Sequence, residues 1–198
     1  MSSCNYQIVT KRDTELLELI EKLRVIDLLV ADTMIFTNTK GTRVAQRRLT
    51  TLVEYKKLKR WRPNQISPYV YYLGRKPSNI DHAILLSRFV AHLKLLDADI
   101  LKIKREWLIW EGIRIDLFVA YKLNNKNYIS IVECENTKNF NDKYKKLEEY
   151  YLNNSYKELF PTMPQIICIT DKSFIESEAL KVIKIDTEFK NICEILEA

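Results

Sequence analysis

Apolar residues recur at helical spacing three times in the first sixty residues of the chain. The first stripe begins after Thr10, a residue type that commonly caps helix N-termini, and it predicts a helix that runs to about residue 25. Two further helices are predicted over 27–36 and 42–58, separated by a polar turn at 37–41. The apolar stripe of the first helix consists of Leu16, Ile20 and Leu23.

The pattern changes from helix to strand after the third helix. A short strand is predicted at Lys59–Arg62, a turn over 63–65, and a second strand over 66–73, where aromatic and β-branched residues are enriched. Three helices followed by a hairpin are typical of a winged helix-turn-helix DNA-binding domain, and the sequence predicts one over residues 1–76.

The remaining residues, 77–198, predict a second domain that begins after a Pro-containing boundary at 75–78. A connecting helix over 79–97, with apolar residues on its inner positions, is followed by alternating strands and helices. This order favours an α/β domain with a mixed sheet. The strands are predicted at 100–110, 113–123, 128–135, 165–170 and 182–185, and the helices at 139–152, 173–181 and from 188 onward.

The positive charge of the chain belongs to its N-terminal part. The formal net charge is +6, but residues 1–76 carry +8 and residues 77–198 carry −2. Within 40–62, nine basic residues face the single acid Glu54. A solvated surface helix usually mixes both signs, so this stripe indicates a surface that binds phosphate groups.

The third helix and the hairpin supply the predicted DNA contacts. In a helix-turn-helix protein the last helix enters the major groove, where Arg can read guanine and Gln can read adenine. Arginines of the hairpin can reach backbone phosphate or the minor groove. The predicted DNA-binding residues are Lys40, Thr42, Arg43, Gln46, Arg47, Arg48, Lys59, Arg60 and Arg62.

The sequence argues against a zinc protein and against membrane insertion. Its four cysteines are far apart and its two histidines, His82 and His92, lie on the connecting helix, so no four-ligand zinc cluster is indicated. The cysteines are interpreted as free thiols in a reducing compartment, and the histidines as packing residues. No apolar run is long enough to cross a bilayer, and residues 1–13 lack the apolar core of a secretion signal. A cytoplasmic protein is expected.

Three carboxylates fall on two neighbouring strands of the second domain. Asp116 lies within the predicted strand 113–123, and Glu133 and Glu135 lie at the end of the next one. Residues i and i+2 of a strand share a face, and hairpin pairing can bring Asp116 close to both. Such a cluster suits a hard divalent cation such as Mg²⁺, which makes these residues candidate metal ligands. Lys145 and Lys146 on the following helix could supply the positive charge instead. Exposed acids at a sheet edge are the alternative interpretation.

This arrangement resembles the core of PD-(D/E)xK nucleases over residues 100–170, with Glu106 as a possible extra acid. The resemblance implies a restriction-endonuclease-like fold and a catalytic set of Asp116, Glu133 and Glu135. One position departs from the pattern: Glu135 stands where these nucleases have the lysine that polarises the attacking water. Lys146 on the following helix is the candidate replacement for that lysine.

Nearly the whole chain also resembles the replication-relaxation family of plasmids and integrative elements. The resemblance implies a mobile-element protein that binds DNA during replication, transfer or control of gene expression, with an acid at the position of Glu135 as a family trait. It is carried by short stretches in order along the chain: Thr10–Asp13, Arg47–Val53, Tyr71–Leu73, Asp81–Ala83, Asp116, 131–137 and Lys146–Tyr150.

Three functions follow from these patterns. The first is a sequence-specific regulator that binds double-stranded DNA as a homodimer, without a cofactor, and whose nuclease-like domain is degenerate; the connecting helix and the C-terminal helix are the expected dimer surfaces. The second is a Mg²⁺-dependent nuclease or nicking enzyme that acts in plasmid replication or mobilisation. The third is a module whose basic face contacts an acidic replication or transfer protein.

Overall fold

The computed structural model of the chain describes residues 9–37, 41–135, 140–173 and 179–196. It is a mixed α/β protein with five α-helices and a five-stranded mixed sheet among these residues. The chain divides into two compact units, of which the first ends at Ala91 and the second begins at His92. The division falls inside the connecting helix, 15 residues beyond the position 76 that the sequence suggests as the domain end.

The first unit contains three helices and a three-stranded antiparallel sheet whose strand order is β1-β3-β2. The helices are α1 (Lys11–Leu23), α2 (Leu28–Ile35) and α3 (Arg43–Glu54), and the strands are β1 (Val25–Ile26), β2 (Lys59–Trp61) and β3 (Val70–Tyr72). A fourth helix, α4, follows at Ile80–Leu95. The sheet packs on α4 through a buried cluster of Val25, Val70, Tyr72, Ile80, Ala83 and Ile84.

The start of α1 follows the prediction closely. The Thr10 hydroxyl accepts a hydrogen bond from the Asp13 backbone N–H at 3.3 Å, and the Asp13 carboxylate accepts one from the Thr10 backbone N–H at 2.6 Å. This reciprocal capping box satisfies backbone donors that the first turn of a helix leaves without partners. The helix ends earlier than predicted, because Arg24 adopts a positive φ of 72°. The next two residues then form β1 instead of continuing the helix.

The hairpin is shorter than the sequence suggests. Its second strand was expected to begin at Ile66, but the Asn64 side chain accepts hydrogen bonds from the backbone N–H groups of Ile66 and Ser67 at 3.0 and 2.8 Å. These donors are therefore used in an Asx turn and cannot pair with β2. Strand β3 begins at Val70, and Ile66 is 97% exposed in the loop.

The second unit is built on the five-stranded sheet, with strand order β4-β5-β6-β7-β8. The first three strands are antiparallel, and β6, β7 and β8 are parallel to one another, so the predicted mixed sheet is confirmed. The strands are β4 (Asp99–Trp110), β5 (Ile113–Leu123), β6 (Lys126–Cys134), β7 (Gln165–Ile169) and β8 (Val182–Ile185). Helix α5 (Phe140–Leu152) follows β6, and short 3₁₀ helices lie at Ser155–Glu158 and Ile192–Leu196.

Two tight hairpins join the antiparallel strands. Asn124 and Asn125 both have positive φ, at 50° and 62°, between the paired residues Leu123 and Lys126. Two-residue loops with this geometry match the right-handed twist of the strands, and Asn tolerates it better than most residues.

Of the predicted helix over 173–181, residues 174–178 lie outside the described residues and 179–181 are not helical.

Outer strand β4 is long and irregular. It pairs with β5 on one side, and its register shifts between Ile100 and Lys102 and again between Leu108 and Trp110. Most of its side chains are exposed or half-buried, in contrast to those of β5.

A core covers the face of the sheet that carries α5. It is formed by buried residues of β5, β6, β7 and α5 together with Phe160 and Leu180. Most apolar residues of α4 are likewise buried, whereas Leu85 is half-buried and Leu95 is 56% exposed, so little of its apolar surface is open to a partner; the dimer surface stays a prediction. The apolar residues of the C-terminal 3₁₀ helix, Ile192 and Ile195, are also buried. Among the described residues, no helix is both long and apolar enough to span a bilayer.

Candidate nucleic-acid interface and carboxylate cluster

Helix α3 presents a polar face with two exposed arginines. Arg43, Gln46 and Arg47 are exposed, while Ala45, Leu49 and Leu52 on the other side of the helix are fully buried. The hydroxyls of Thr50 and Thr51 donate to the carbonyl oxygens of Gln46 and Arg47 at 2.9 and 3.0 Å. This leaves the longer arginine and glutamine side chains to project from the helix surface.

Arg48 does not share this face. Its guanidinium donates two hydrogen bonds to the Asp13 carboxylate, one from Nε to Oδ1 and one from Nη2 to Oδ2. The Asp13 side chain is fully buried and that of Arg48 is 24% exposed. Arg48 therefore ties α3 to the first turn of α1, and its assignment as a DNA contact stays a prediction.

The charge state of Asp13 reflects this pairing. Burial opposes ionisation of the carboxyl group, but hydrogen bonds from Arg48 and Thr10 outweigh burial and lower the pKa of Asp13. The same contact raises the pKa of Arg48. The start of α2 is capped in a similar way. Asp27 accepts a 3.0 Å hydrogen bond from the Val30 backbone N–H, and it also accepts a 2.7 Å hydrogen bond from Arg88 on α4.

Two of the predicted contacts lie at the beginning of α3. Lys40 lies outside the described residues. Thr42 occupies the N-cap position of α3, is exposed, and makes no side-chain capping hydrogen bond. Its hydroxyl therefore does not serve the helix start, which leaves its predicted role as a DNA contact open.

The hairpin carries the rest of the predicted basic residues, and it pairs them with aromatic rings. The guanidinium carbons of Arg60 and Arg62 lie 4.4 and 4.5 Å from the centre of the Tyr69 ring. Arg62 also donates to the carbonyl oxygen of Gln65 at 2.7 Å. Cation–π contacts hold guanidinium groups in place without neutralising their charge. Lys59 is exposed at the start of β2.

Several residues of this surface were missed by sequence reasoning. Lys76 lies over the Trp61 ring at 4.4 Å, and Lys11 and Arg12 at the start of α1 line a groove of about 490 Å³ that Arg47 also lines. The groove has an apolar floor that includes Phe36 and Val44. These three cations lie outside residues 40–62, where the basic charge is concentrated in the sequence, so that stretch does not indicate them.

In the second unit, two of the three predicted carboxylates come together. The β5–β6 ladder pairs Leu117 with Val132, which sets Asp116 and Glu133 opposite one another at its end. Asp116 Oδ2 also accepts a 3.1 Å hydrogen bond from the Cys134 backbone N–H. The Asp116 side chain is 22% exposed, whereas that of Glu133 is 2% exposed.

The cation beside these acids is Lys143, which the sequence analysis did not single out. Its ammonium group donates to Glu133 Oε2 and lies 3.6 Å from Asp116 Oδ1. Lys146, the expected replacement for the nuclease lysine, is exposed one turn further along α5. The lysine of α5 that contacts the acids is thus Lys143, three residues before Lys146, and a catalytic role of Lys146 stays a prediction.

Glu135 does not complete the predicted triad. Strand β6 ends at Cys134, so Glu135 leaves the strand, and its backbone N–H donates to the Ile169 carbonyl oxygen at 3.1 Å. Within the described ranges, no group of three or more His, Cys, Asp or Glu side chains is arranged to hold a metal ion. Glu106, the possible extra acid, is exposed on β4 with a positive φ of 49°.

Glu133 is an unusual buried acid. Burial and the nearby Asp116 carboxylate raise the pKa of Glu133 well above its usual value of 4.5, and Lys143 offsets this only in part. Its Oε1 atom is buried without a hydrogen-bond partner. Burial has the same effect on the two thiols close by: it raises the pKa of Cys134 to about 12 and raises that of Cys168 as well.

The Mg²⁺ that the nuclease resemblance implies does not fit this donor set as it stands. Mg²⁺ prefers near-octahedral oxygen ligands. Here the ammonium group of Lys143 already contacts one oxygen of each acid, and Asp116 Oδ2 accepts a backbone hydrogen bond. A divalent cation between Asp116 and Glu133 would meet a positive charge at hydrogen-bond distance.

Comparison of the chain with protein-family models, with curated proteins and with solved structures finds no match.

Proposed function

We propose that the chain is a sequence-specific DNA-binding protein that contacts double-stranded DNA with its first unit. The observation that supports this most strongly is the exposed face of α3, which carries Arg43, Gln46 and Arg47. The hairpin of the same unit adds Arg60 and Arg62. Arginine and glutamine are the side chains that read guanine and adenine edges, and arginine also binds phosphate.

The order of elements supports a winged helix for this unit. Three helices, a short strand between the first two, and a hairpin that pairs with this strand are what such a domain requires. In this interpretation α3 enters the major groove, and the hairpin is the wing that runs along the backbone or the minor groove. Tyr69 would then hold the guanidinium groups of Arg60 and Arg62 towards phosphate.

The regulator is proposed to act as a homodimer in a plasmid, phage or integrative element, in replication, transfer or transcription. The resemblance described above supports the mobile-element context, and helix-turn-helix proteins commonly bind two half-sites as dimers. The second unit, with its net charge of −2 over residues 77–198, is proposed to organise the protein rather than to bind DNA.

The test is a fluorescence anisotropy titration on DNA fragments selected from a random pool by the purified protein. Arg43→Ala and Arg47→Ala should each weaken DNA binding about tenfold or more. Where a phosphate contact is lost, the slope of log affinity against log salt concentration should fall by about one. Lys22→Ala removes an exposed positive charge from α1 and is the matched control. Affinities that are equal in all four proteins at moderate salt would refute the assignment of α3.

A second candidate function, cleavage of DNA, is favoured by one observation: Asp116, Glu133 and a lysine do meet in the second unit. Incubation of supercoiled plasmid with the protein and Mg²⁺ or Mn²⁺ separates the two functions. Cleavage that Asp116→Asn abolishes, with DNA affinity unchanged, would establish the nuclease. Binding without cleavage under all these conditions would leave the regulator as the function.

A further inference from the structure

We infer that Lys143 is the resident cation of the Asp116–Glu133 cluster, and that truncating this lysine converts the cluster into a binding site for a divalent metal ion. The inference concerns the second unit and goes beyond the proposed DNA binding, on which it does not rest.

The first argument is the position of the ammonium group. Lys143 Nζ donates to Glu133 Oε2 and lies 3.6 Å from Asp116 Oδ1, so a single positive charge bridges two carboxylates from neighbouring strands. A lysine ammonium is a compact point charge, and in this respect it resembles a metal ion more than a planar guanidinium does. The ammonium group therefore stands where a bridging cation would have to bind.

The second argument is that one lysine does not satisfy the cluster. Two carboxylates share one positive charge, and Glu133 Oε1 is buried without a hydrogen-bond partner. An ammonium group has three donors at fixed angles, whereas a divalent cation carries twice the charge and accepts six or more oxygens, including water. A divalent ion in place of the ammonium group could therefore use more of the carboxylate oxygens than the lysine does.

The third argument is access. The side chains of Lys143 and Asp116 are 27% and 22% exposed, so the cluster is open to solvent on the side of these two residues, while Glu133 forms its buried end. When the lysine side chain is shortened, the space that its ammonium group occupies becomes available to a hydrated ion. Glu133 and Asp116 then supply oxygens from both sides of that space.

Calorimetric titration and thermal unfolding with MnCl₂ test this inference. The wild-type protein should show no saturable Mn²⁺ binding at millimolar concentration. Lys143→Ala should bind one Mn²⁺, and millimolar Mn²⁺ should raise its Tm by about 4 °C or more. Lys145→Ala, at an exposed position of the same helix, should behave as the wild type does. Asp116→Asn combined with Lys143→Ala should lose the new site.

Two results would overturn the inference. One is stoichiometric Mn²⁺ binding by the wild-type protein that disappears in Asp116→Asn, because the lysine would then not occupy the site. The other is a folded Lys143→Ala protein that binds no Mn²⁺. If Lys143→Ala does not fold without metal, refolding with Mn²⁺ but not with NaCl supports the inference, and refolding with neither contradicts it. The DNA affinity of folded variants should stay unchanged, which separates this result from the proposed function.

Discussion

Each unit of the molecule contains a buried acid that is paired with a partly exposed basic side chain. The pKa values of the two acids are nevertheless shifted in opposite directions. Asp13 is fully buried and paired with Arg48, and its pKa is lowered. The Glu133 side chain is 2% exposed and paired with Lys143, and its pKa is raised well above the usual value. Both acids have one cationic partner, so the ion pair alone cannot explain the difference. Burial is the largest cause of the raised pKa of Glu133, whereas at Asp13 hydrogen bonds outweigh the effect of burial.

The difference lies in the remaining neighbours of each carboxylate. Asp13 accepts hydrogen bonds from the Thr10 backbone and hydroxyl at 2.6 and 2.7 Å in addition to two from Arg48. Glu133 has a second acid beside it and one oxygen without a partner. The number of donors around a buried carboxylate, rather than the presence of an ion pair, decides whether it stays ionised.

The largest expected effect comes from Arg48→Met. This change keeps much of the side-chain volume but leaves Asp13 buried without its guanidinium partner, and removal of one partner of a buried pair costs about 3 kcal/mol. Urea unfolding of the wild type and the variant measures the loss. Arg47→Met, at an exposed position of the same helix, is the control and should change the unfolding free energy by less than about 0.5 kcal/mol. Equal losses in both variants would contradict the structural role of Arg48.

Lys143→Met should cost less, about 1 kcal/mol in the absence of divalent metal. Glu133 can take up a proton when the lysine is lost, whereas the hydrogen bonds from the Thr10 backbone and hydroxyl still favour the ionised form of Asp13 when Arg48 is lost. The same urea experiment, with EDTA present, compares the two variants directly. A loss larger than that of Arg48→Met would reverse the ranking of the two sites.

The smallest of the expected effects is on the pH dependence of the unfolding free energy. The contributions of the two acids should change with pH in opposite directions. The lowered pKa of Asp13 contributes stability that is present above its usual value of 3.8 and is lost as pH falls. The raised pKa of Glu133 contributes stability that is complete below 4.5 and is lost as pH rises through its folded-state pKa.

Variants in which one acid is replaced by its amide, which does not ionise, isolate the contribution of each acid to the pH dependence. Asp13→Asn should flatten the acid side of the stability profile, and Glu133→Gln should flatten the decline at higher pH. Unfolding free energies measured from pH 3 to pH 9 give both profiles. If the two variants changed the same side of the profile, the contrast between the sites would be wrong.

Local signals in the sequence predicted most of the elements. The N-cap at Thr10 and the apolar stripe of α3 each depend on a few neighbouring residues, and both were predicted. Strand β1 was missed because two residues show no alternation of their own and pair only with β3, more than forty residues later.

The candidate site was harder to predict because its members are far apart in the chain. In the sequence nothing distinguishes Arg48 from the other arginines of the basic stripe, because its partner Asp13 lies 35 positions earlier. Lys143 and Lys146 lie one turn apart on α5, and the choice between them depends on where α5 begins relative to the end of β6. Helical periodicity fixes neither of these long-range relations.

Outer strand β4 has a consequence for how the protein behaves at high concentration. A twelve-residue strand at the end of a sheet is a template on which another chain could add a strand and begin an aggregate. The two register shifts, the exposed lysines Lys102 and Lys104 and the positive φ of Glu106 interrupt that template along its length. Natural sheets discourage aggregation by such charges and bulges, so we expect β4 to be a poor site for the addition of another strand.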